Sequence, residues 1–190
     1  IISLLRNNFE VGSIDLDARQ ATLSRYIENR RLYTEEKGIT LPMSSHHIVP
    51  RSKLLAVDDQ QQDERERFSL DDMCHLNDFV VIDCPGSDSY LSRIAHAQAD
   101  TLVTPMNDSF VDLDLLGRVD FETNKVTKPS FYAELVWDSR KHRAMEKRQT
   151  IDWVVMRNRM SSLDAHNKRR VHDALLQLEK RIGFRMLDGL

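Results

Sequence analysis

Apolar residues fall along this chain in short unbroken runs, separated by longer stretches with helical patterning. The clearest run is Phe79-Val80-Val81-Ile82, bounded by Asp78 and Asp83. Its continuous rather than alternating character predicts a strand covered on both faces, as in a parallel sheet. A second run is Thr101-Leu102-Val103-Thr104, stopped by Pro105, and a third extends from Ile151 to Met156. Further strands are expected at about Glu10 to Ile14 and from Gly183-Phe184 onward. Helices are predicted over Ala18–Glu36, closed by Gly38, and over Asp63–Leu76, Ser89–Ala97, Ser109–Leu116, Phe131–Gln149 and Ser162–Arg181. Ile1 to Asn8 reads as the last turns of a helix. Leu41 to Asp59, with Pro42, Pro50 and the Ser44-Ser45-His46-His47 run, reads as a loop.

Short apolar strands alternating with helices predict βαβ crossovers. The expected architecture is one α/β domain over residues 1–190, a doubly wound, mostly parallel sheet with flanking helices, incomplete at both ends. In such sheets ligands sit beyond the carboxyl ends of the strands. Three of the predicted strands end in polar residues able to bind a ligand: Asp15 and Asp17, Asp83, and Asn158.

Composition narrows the class without naming a function. Hydrophobic residues make up 41% of the 190 and charged residues 30%, ordinary for a water-exposed domain with its own core. No apolar run approaches the ~20 residues needed to cross a bilayer, so no membrane partner is expected. Net charge is −3, but it is distributed unevenly. Arg140 to Arg170 is strongly basic, whereas Asp58 to Asp72 is mostly acidic. Cys74 and Cys84 match no zinc or redox spacing and are expected to be small buried apolar side chains in a reducing compartment. His46-His47 has no third ligand nearby and reads as plain loop, and Trp137 and Trp153 are expected in the core.

The strand ends carry the candidate chemistry. Phe79 to Gly86 has the form of four apolar residues, an acid and then a glycine, the pattern of a strand whose Asp83 holds Mg²⁺ through a water. Gly86 would let the backbone pass close to a phosphate; the alternative is an ordinary Asp-x-Pro-Gly turn. Asp15 and Asp17 set two carboxylates at one strand end, where one could orient a hydrolytic water. Alternatively, Asp17 caps the helix starting at Ala18. Arg140, Lys141, Arg143, Lys147 and Arg148 share one predicted helix, and Lys168, Arg169 and Arg170 open another, with His166 beside them. Such residues make salt-sensitive, sequence-independent phosphate contacts, or simply form a solvated helix face.

Longer motifs carry a family resemblance. Ser13-Ile14-Asp15-Leu16-Asp17-Ala18-Arg19-Gln20 resembles the first-switch motif of ParA/MinD ATPases, and Asp78 to Ser89 their Walker B strand and second switch. Val103 to Asp112, Thr127 to Tyr132 and Trp153 to Arg159 resemble the MipZ type within that family. The resemblance runs over nearly the whole chain and is weakest between Leu41 and Leu76. It implies a P-loop NTPase fold using ATP and Mg²⁺, with Asp17 positioning the hydrolytic water and Asp15 supporting the site. Asp83 would serve Mg²⁺, and Asn158 would hydrogen-bond the adenine edge next to a nucleotide approached by Gly86. It also implies an ATP-dependent homodimer that binds nonspecific DNA through Lys168, Arg169, Arg170, Arg140 and Lys141. The implied partners are ParB and the division protein FtsZ, whose assembly is blocked away from midcell, and the implied location is cytoplasmic, at nucleoid and pole. One departure is plain: no Gly-rich phosphate loop occurs within these residues. As given, the chain is therefore expected not to hydrolyse ATP at a useful rate. The other reading it leaves open is a nucleotide-independent paralogue or fragment that contacts ParB or DNA.

Overall fold

The computed structural model describes residues 1–54, 56–68, 70–107, 109–120, 125–147, 149–158 and 165–187. It is a mixed α/β structure with parallel sheets and flanking helices. The chain divides into two compact units, Ile1–Ala95 and His96–Leu190.

The first unit contains α1 (Ile2–Arg6), β1 (Val11–Asp15), α2 (Thr22–Lys37), β2 (Ser45–Ile48), α3 (Val57–Arg67), α4 (Leu70–Leu76) and β3 (Phe79–Asp83), and α5 (Tyr90–Gln98) begins in it. Its sheet has the order β2-β1-β3, with both pairings parallel. The central strand β1 is buried along its whole length. Gly12 suits that position because a Cβ there would stand 2.6 Å from the Met73 methyl carbon of α4. Ile14, Leu16, Val49, Phe68, Met73, Leu91 and Ala95 form the core.

Four expectations in this unit change. The loop predicted over 41–59 contains β2, which the sequence conceals because Ser45-His46-His47-Ile48 has no apolar face and, among the described strands, pairs with β1 alone. The helix expected from Ala18 starts at Thr22 instead. Residues 17–21 close a turn in which the Ala21 N–H donates to the Asp17 carbonyl at 2.7 Å, and Ala21 adopts left-handed backbone (φ 49°) before the helix begins. The helix predicted over Asp63–Leu76 is two helices, since Phe68 leaves helical geometry to bury its ring. Finally, β3 is not covered on both faces: Phe79 is exposed and Val80 to Ile82 are half-buried. The C-terminal stop of α2 stands, with Gly38 at φ 61° as a left-handed cap.

In the second unit come β4 (Thr101–Asn107), α6 (Phe110–Leu116), β5 (Gly117–Asp120), β6 (Lys125–Pro129), α7 (Phe131–Lys147), β7 (Asp152–Asn158), α8 (Ala165–Ile182) and β8 (Arg185–Leu187). A parallel sheet of order β4-β7-β8 is accompanied by the antiparallel hairpin β5-β6. Buried Val171, Ala174, Leu175 and Leu178 recur at helical spacing on α8 and join Trp153, Val155, Leu113 and Val136 in the core. Pro105 does not stop β4. It pairs with Met156 from a strand bonded to β7 alone among the described strands, and an edge is where a ladder tolerates a missing N–H. The hairpin was not expected, and its strands are too short and too mixed to signal themselves. Trp153 is buried as expected, but Trp137 is 54% exposed, with Lys141 Nζ 5.9 Å from its ring centre.

Candidate functional site at the carboxyl ends of β1 and β3

Asp15 ends β1 with no exposed surface. Its Oδ1 accepts the Asp17 N–H at 2.9 Å, and its Oδ2 accepts the Ser24 N–H at 3.1 Å and the Ser24 hydroxyl at 2.6 Å. One carboxylate therefore ties down both ends of the segment linking β1 to α2. Charge-assisted bonds of this kind are about twice as strong as neutral ones. Asp17, half-buried, is held far more loosely. Among the described residues its carboxylate meets a single long contact, from the Gln20 N–H to Oδ1 at 3.4 Å. Because α2 begins at Thr22 and has no side-chain cap, the expectation that Asp17 caps a helix from Ala18 is corrected. It closes the preceding turn.

Asp83 ends β3 in register with Asp15, and its carbonyl accepts the Leu16 N–H at 2.9 Å. Its side chain lies at the surface yet is partly desolvated by the chain around it. That burial, and then the negative charge of Asp15 and Asp17, push its carboxyl above the usual range. Three anionic groups at adjoining strand ends thus oppose one another, and a cation would relieve the opposition. The donor set suits Mg²⁺, a hard ion that binds through one or two carboxylates and retains its waters. Among the described residues no three His, Cys, Asp or Glu side chains form a ready-made metal cage. Next along the chain, burial and the charge of Asp83 push the Cys84 thiol up to about 12, while Cys74 is exposed, against the expectation that both are buried. Gly86 lies exposed in the following loop, and a Cβ there would meet nothing within 4 Å, so the chain's own packing does not require glycine.

Sequence reasoning missed the polar network behind Asp15. Ser13 Oγ lies 3.0 Å from Ser44 Oγ and 2.9 Å from His46 Nδ1, and His46 Nε2 lies 3.0 Å from Ser24 Oγ. The available signal was Ser13, a hydroxyl inside an otherwise apolar strand that needs a partner once buried. His46 is thus a strand residue with both ring nitrogens in polar contacts, not the plain loop residue expected.

In the second unit, Asn158 is the half-buried last residue of β7, in register with Asn107 of β4. The basic residues of α7 divide by use. Arg140 donates to the carbonyls of Ile151 at 3.2 Å and Ile182 at 3.5 Å and stacks 5.6 Å from the Trp153 ring centre. Arg143 is buried, pairing with Asp100 and donating to the Gln98 carbonyl at 2.6 Å. Lys141 and Lys147 stay exposed. On α8, Arg169 is exposed and Arg170 lies 5.4 Å from the Phe110 ring centre, while the side chains of Lys168 and His166 fall outside the described residues, as does Arg148.

A family model described as ATPase MipZ matches residues 1–190. Among solved structures the fold is similar to that of a plasmid partition protein from Borrelia burgdorferi, with a TM-score of 0.55 over 100% of this chain and 80% of that one. Identity to it is 13%, so the likeness is one of fold. No curated protein matches the sequence.

Proposed function

Because the chain belongs to the MipZ family of ATPases, we propose that its two units act as one ATPase domain of a nucleotide-driven dimerisation switch. In this reading ATP favours a homodimer, the dimer holds nonspecific DNA, engages ParB and restrains FtsZ assembly, and hydrolysis resets it. The observation that carries the reading is the trio Asp15, Asp17 and Asp83, in which Asp15 accepts three hydrogen bonds from its own chain and Asp83 is crowded by like charge.

The roles follow from what each carboxylate has left to give. Asp15 has no exposed surface and already accepts three hydrogen bonds from backbone and hydroxyl donors, so it supports the segment rather than touching water. Asp17 retains acceptor capacity and would orient the hydrolytic water for in-line attack. Asp83 would hold the hydration shell of Mg²⁺, which when bound neutralises charge on the phosphate oxygens. Gly86 leaves room beside the phosphates, and Asn158 offers donor and acceptor to an adenine edge. Arg169, Arg170, Lys168 and Lys141 would contact DNA phosphates. Arg140 would contribute mainly by bracing α7, given its two carbonyl partners.

A second reading is favoured by one fact: these 190 residues hold no Gly-rich phosphate loop. In that case the chain binds ParB or DNA without nucleotide. Measuring ATP binding and ATP-dependent dimerisation on this chain and on its complete reading frame separates the two. The switch reading requires that the complete frame bind and dimerise; if it binds no nucleotide, the binding-module reading stands.

A further inference from the structure

Taking Asp17 as the water-orienting group, we infer that His46 is a positioning residue for that site, acting through Ser24 and Asp15. The inference rests on the direction of a hydrogen-bond chain. Ser24 donates its hydroxyl proton to Asp15 Oδ2, a carboxylate oxygen that only accepts. Ser24 Oγ can then only accept from the ring, so His46 Nε2 carries hydrogen and donates at 3.0 Å. In the neutral ring Nδ1 is bare and accepts from Ser13 Oγ at 2.9 Å, with Ser44 Oγ 3.0 Å behind it. Each polar side chain from Ser44 to Asp15 finds a partner in this arrangement, and the Ser45 carbonyl, the other acceptor near the Ser13 hydroxyl, lies farther off at 3.4 Å. Burial, reinforced by His47 and opposed by Asp15 and by a hydrogen bond to the Ser13 backbone, lowers the basicity of His46 on balance and favours the neutral ring.

Geometry gives the arrangement its consequence. His46 is the register partner of Ser13, so its ring projects from a strand that, among the described strands, pairs with β1 alone, and reaches the first turn of α2. By orienting the Ser24 hydroxyl it fixes one oxygen of Asp15, whose other oxygen holds the Asp17 N–H. The strand β2, which has no apolar face, thereby carries a strut that keeps the segment 17–24 in one conformation.

Amide exchange measured by NMR on this chain tests the idea, comparing wild type with His46→Ala, His46→Gln, Ser24→Ala and the double variant. Loss of one partly buried hydrogen bond is expected to speed exchange at Asp17 and Ser24 roughly three- to tenfold. Leu16, whose N–H is held by Asp83, should exchange at the wild-type rate. His46→Gln, which can still present an N–H toward Ser24, should recover most of the protection. The double variant should exchange no faster than Ser24→Ala, because both changes cut one chain. In the complete reading frame, His46→Ala should lower kcat for ATP while leaving KM within about twofold, since positioning acts on the reacting water rather than on binding. Unchanged amides at Asp17 and Ser24, or equal acceleration of all sheet amides, would overturn the inference. If the complete frame binds no ATP, the ATPase reading falls, and the exchange data still decide what His46 does.

Discussion

Asp15 and Asp83 are register partners across β1 and β3, but their carboxylates live in opposite conditions. Asp15 is wholly buried and accepts three hydrogen bonds; among the described residues no donor lowers the charge cost of Asp83. The first is an anchor held by donors of its own chain, and the second is a carboxylate crowded by burial and like charge. That difference separates residues that hold the site from residues that would use it.

Asp83→Asn should therefore raise the thermal midpoint of the metal-free chain, because it removes repulsion with Asp15 and Asp17. The same change should abolish any rise in midpoint on adding Mg²⁺. Thermal melts with and without MgCl₂ check both halves, and a Mg²⁺ response that survives in the variant would remove Asp83 from the ion's path.

Asp15→Ala should cost about 2–4 kcal/mol in urea denaturation, since it strands two backbone N–H groups and a hydroxyl in the interior. Asp17→Ala should cost under about 1 kcal/mol while eliminating ATP hydrolysis in the complete reading frame. Equal costs for the two would mean that the distinction between anchor and reactive group is wrong.

For the basic helices the expected pattern is a split between stability and binding. Arg143→Ala, which removes a buried side chain that donates to the Gln98 carbonyl and reaches out to exposed Asp100, should destabilise by about 2–3 kcal/mol. Lys141→Glu and Arg169→Glu should leave stability nearly unchanged and weaken DNA binding for all sequences. The slope of log affinity against log salt should fall by about 0.9 for each phosphate that is no longer neutralised. Titrations at several salt concentrations provide the comparison.

The two thiols should differ sharply. Cys74 is exposed, whereas the Cys84 thiol is pushed up to about 12 by burial and then by Asp83. At pH 8 an alkylating reagent should label Cys74 in the folded chain and reach Cys84 only on unfolding. Mass spectrometry of tryptic peptides gives the answer directly.

His46 makes the chain acid-sensitive. Its basicity falls below the ordinary value of 6.5, so as pH drops through that point the unfolded chain takes up a proton before the folded one. Stability should thus be complete above about 6.5 and decline below it, with Asp15 softening the effect and His47 adding to it. His46→Gln should flatten that part of the stability profile.

Much of this was legible in the residues, and the gaps have physical causes. The strands β3, β4 and β7 announced themselves through apolar runs, and α6, expected from Ser109, is capped there by the serine oxygen, which accepts the Asp112 N–H at 3.1 Å. The strand β2 was hidden because its side chains bond to Ser13, Ser24 and Asn77 instead of packing in a core. Arginine counts on α7 could not reveal that Arg140 and Arg143 point inward, because basic character is blind to which face a residue occupies. The carboxylates Asp15, Asp17 and Asp83 were visible as a set. That Asp15 accepts three hydrogen bonds depended on Ser24, nine residues further on, and on where α2 actually starts.

Ala21 carries the last consequence. A non-glycine residue held left-handed costs about 1 kcal/mol or more, and here it sits between Asp17 and the helix. The resting segment is consequently cocked. Freeing the segment from Asp15 would release that backbone strain, so the hold of one carboxylate and the cost at Ala21 act against each other within a few residues.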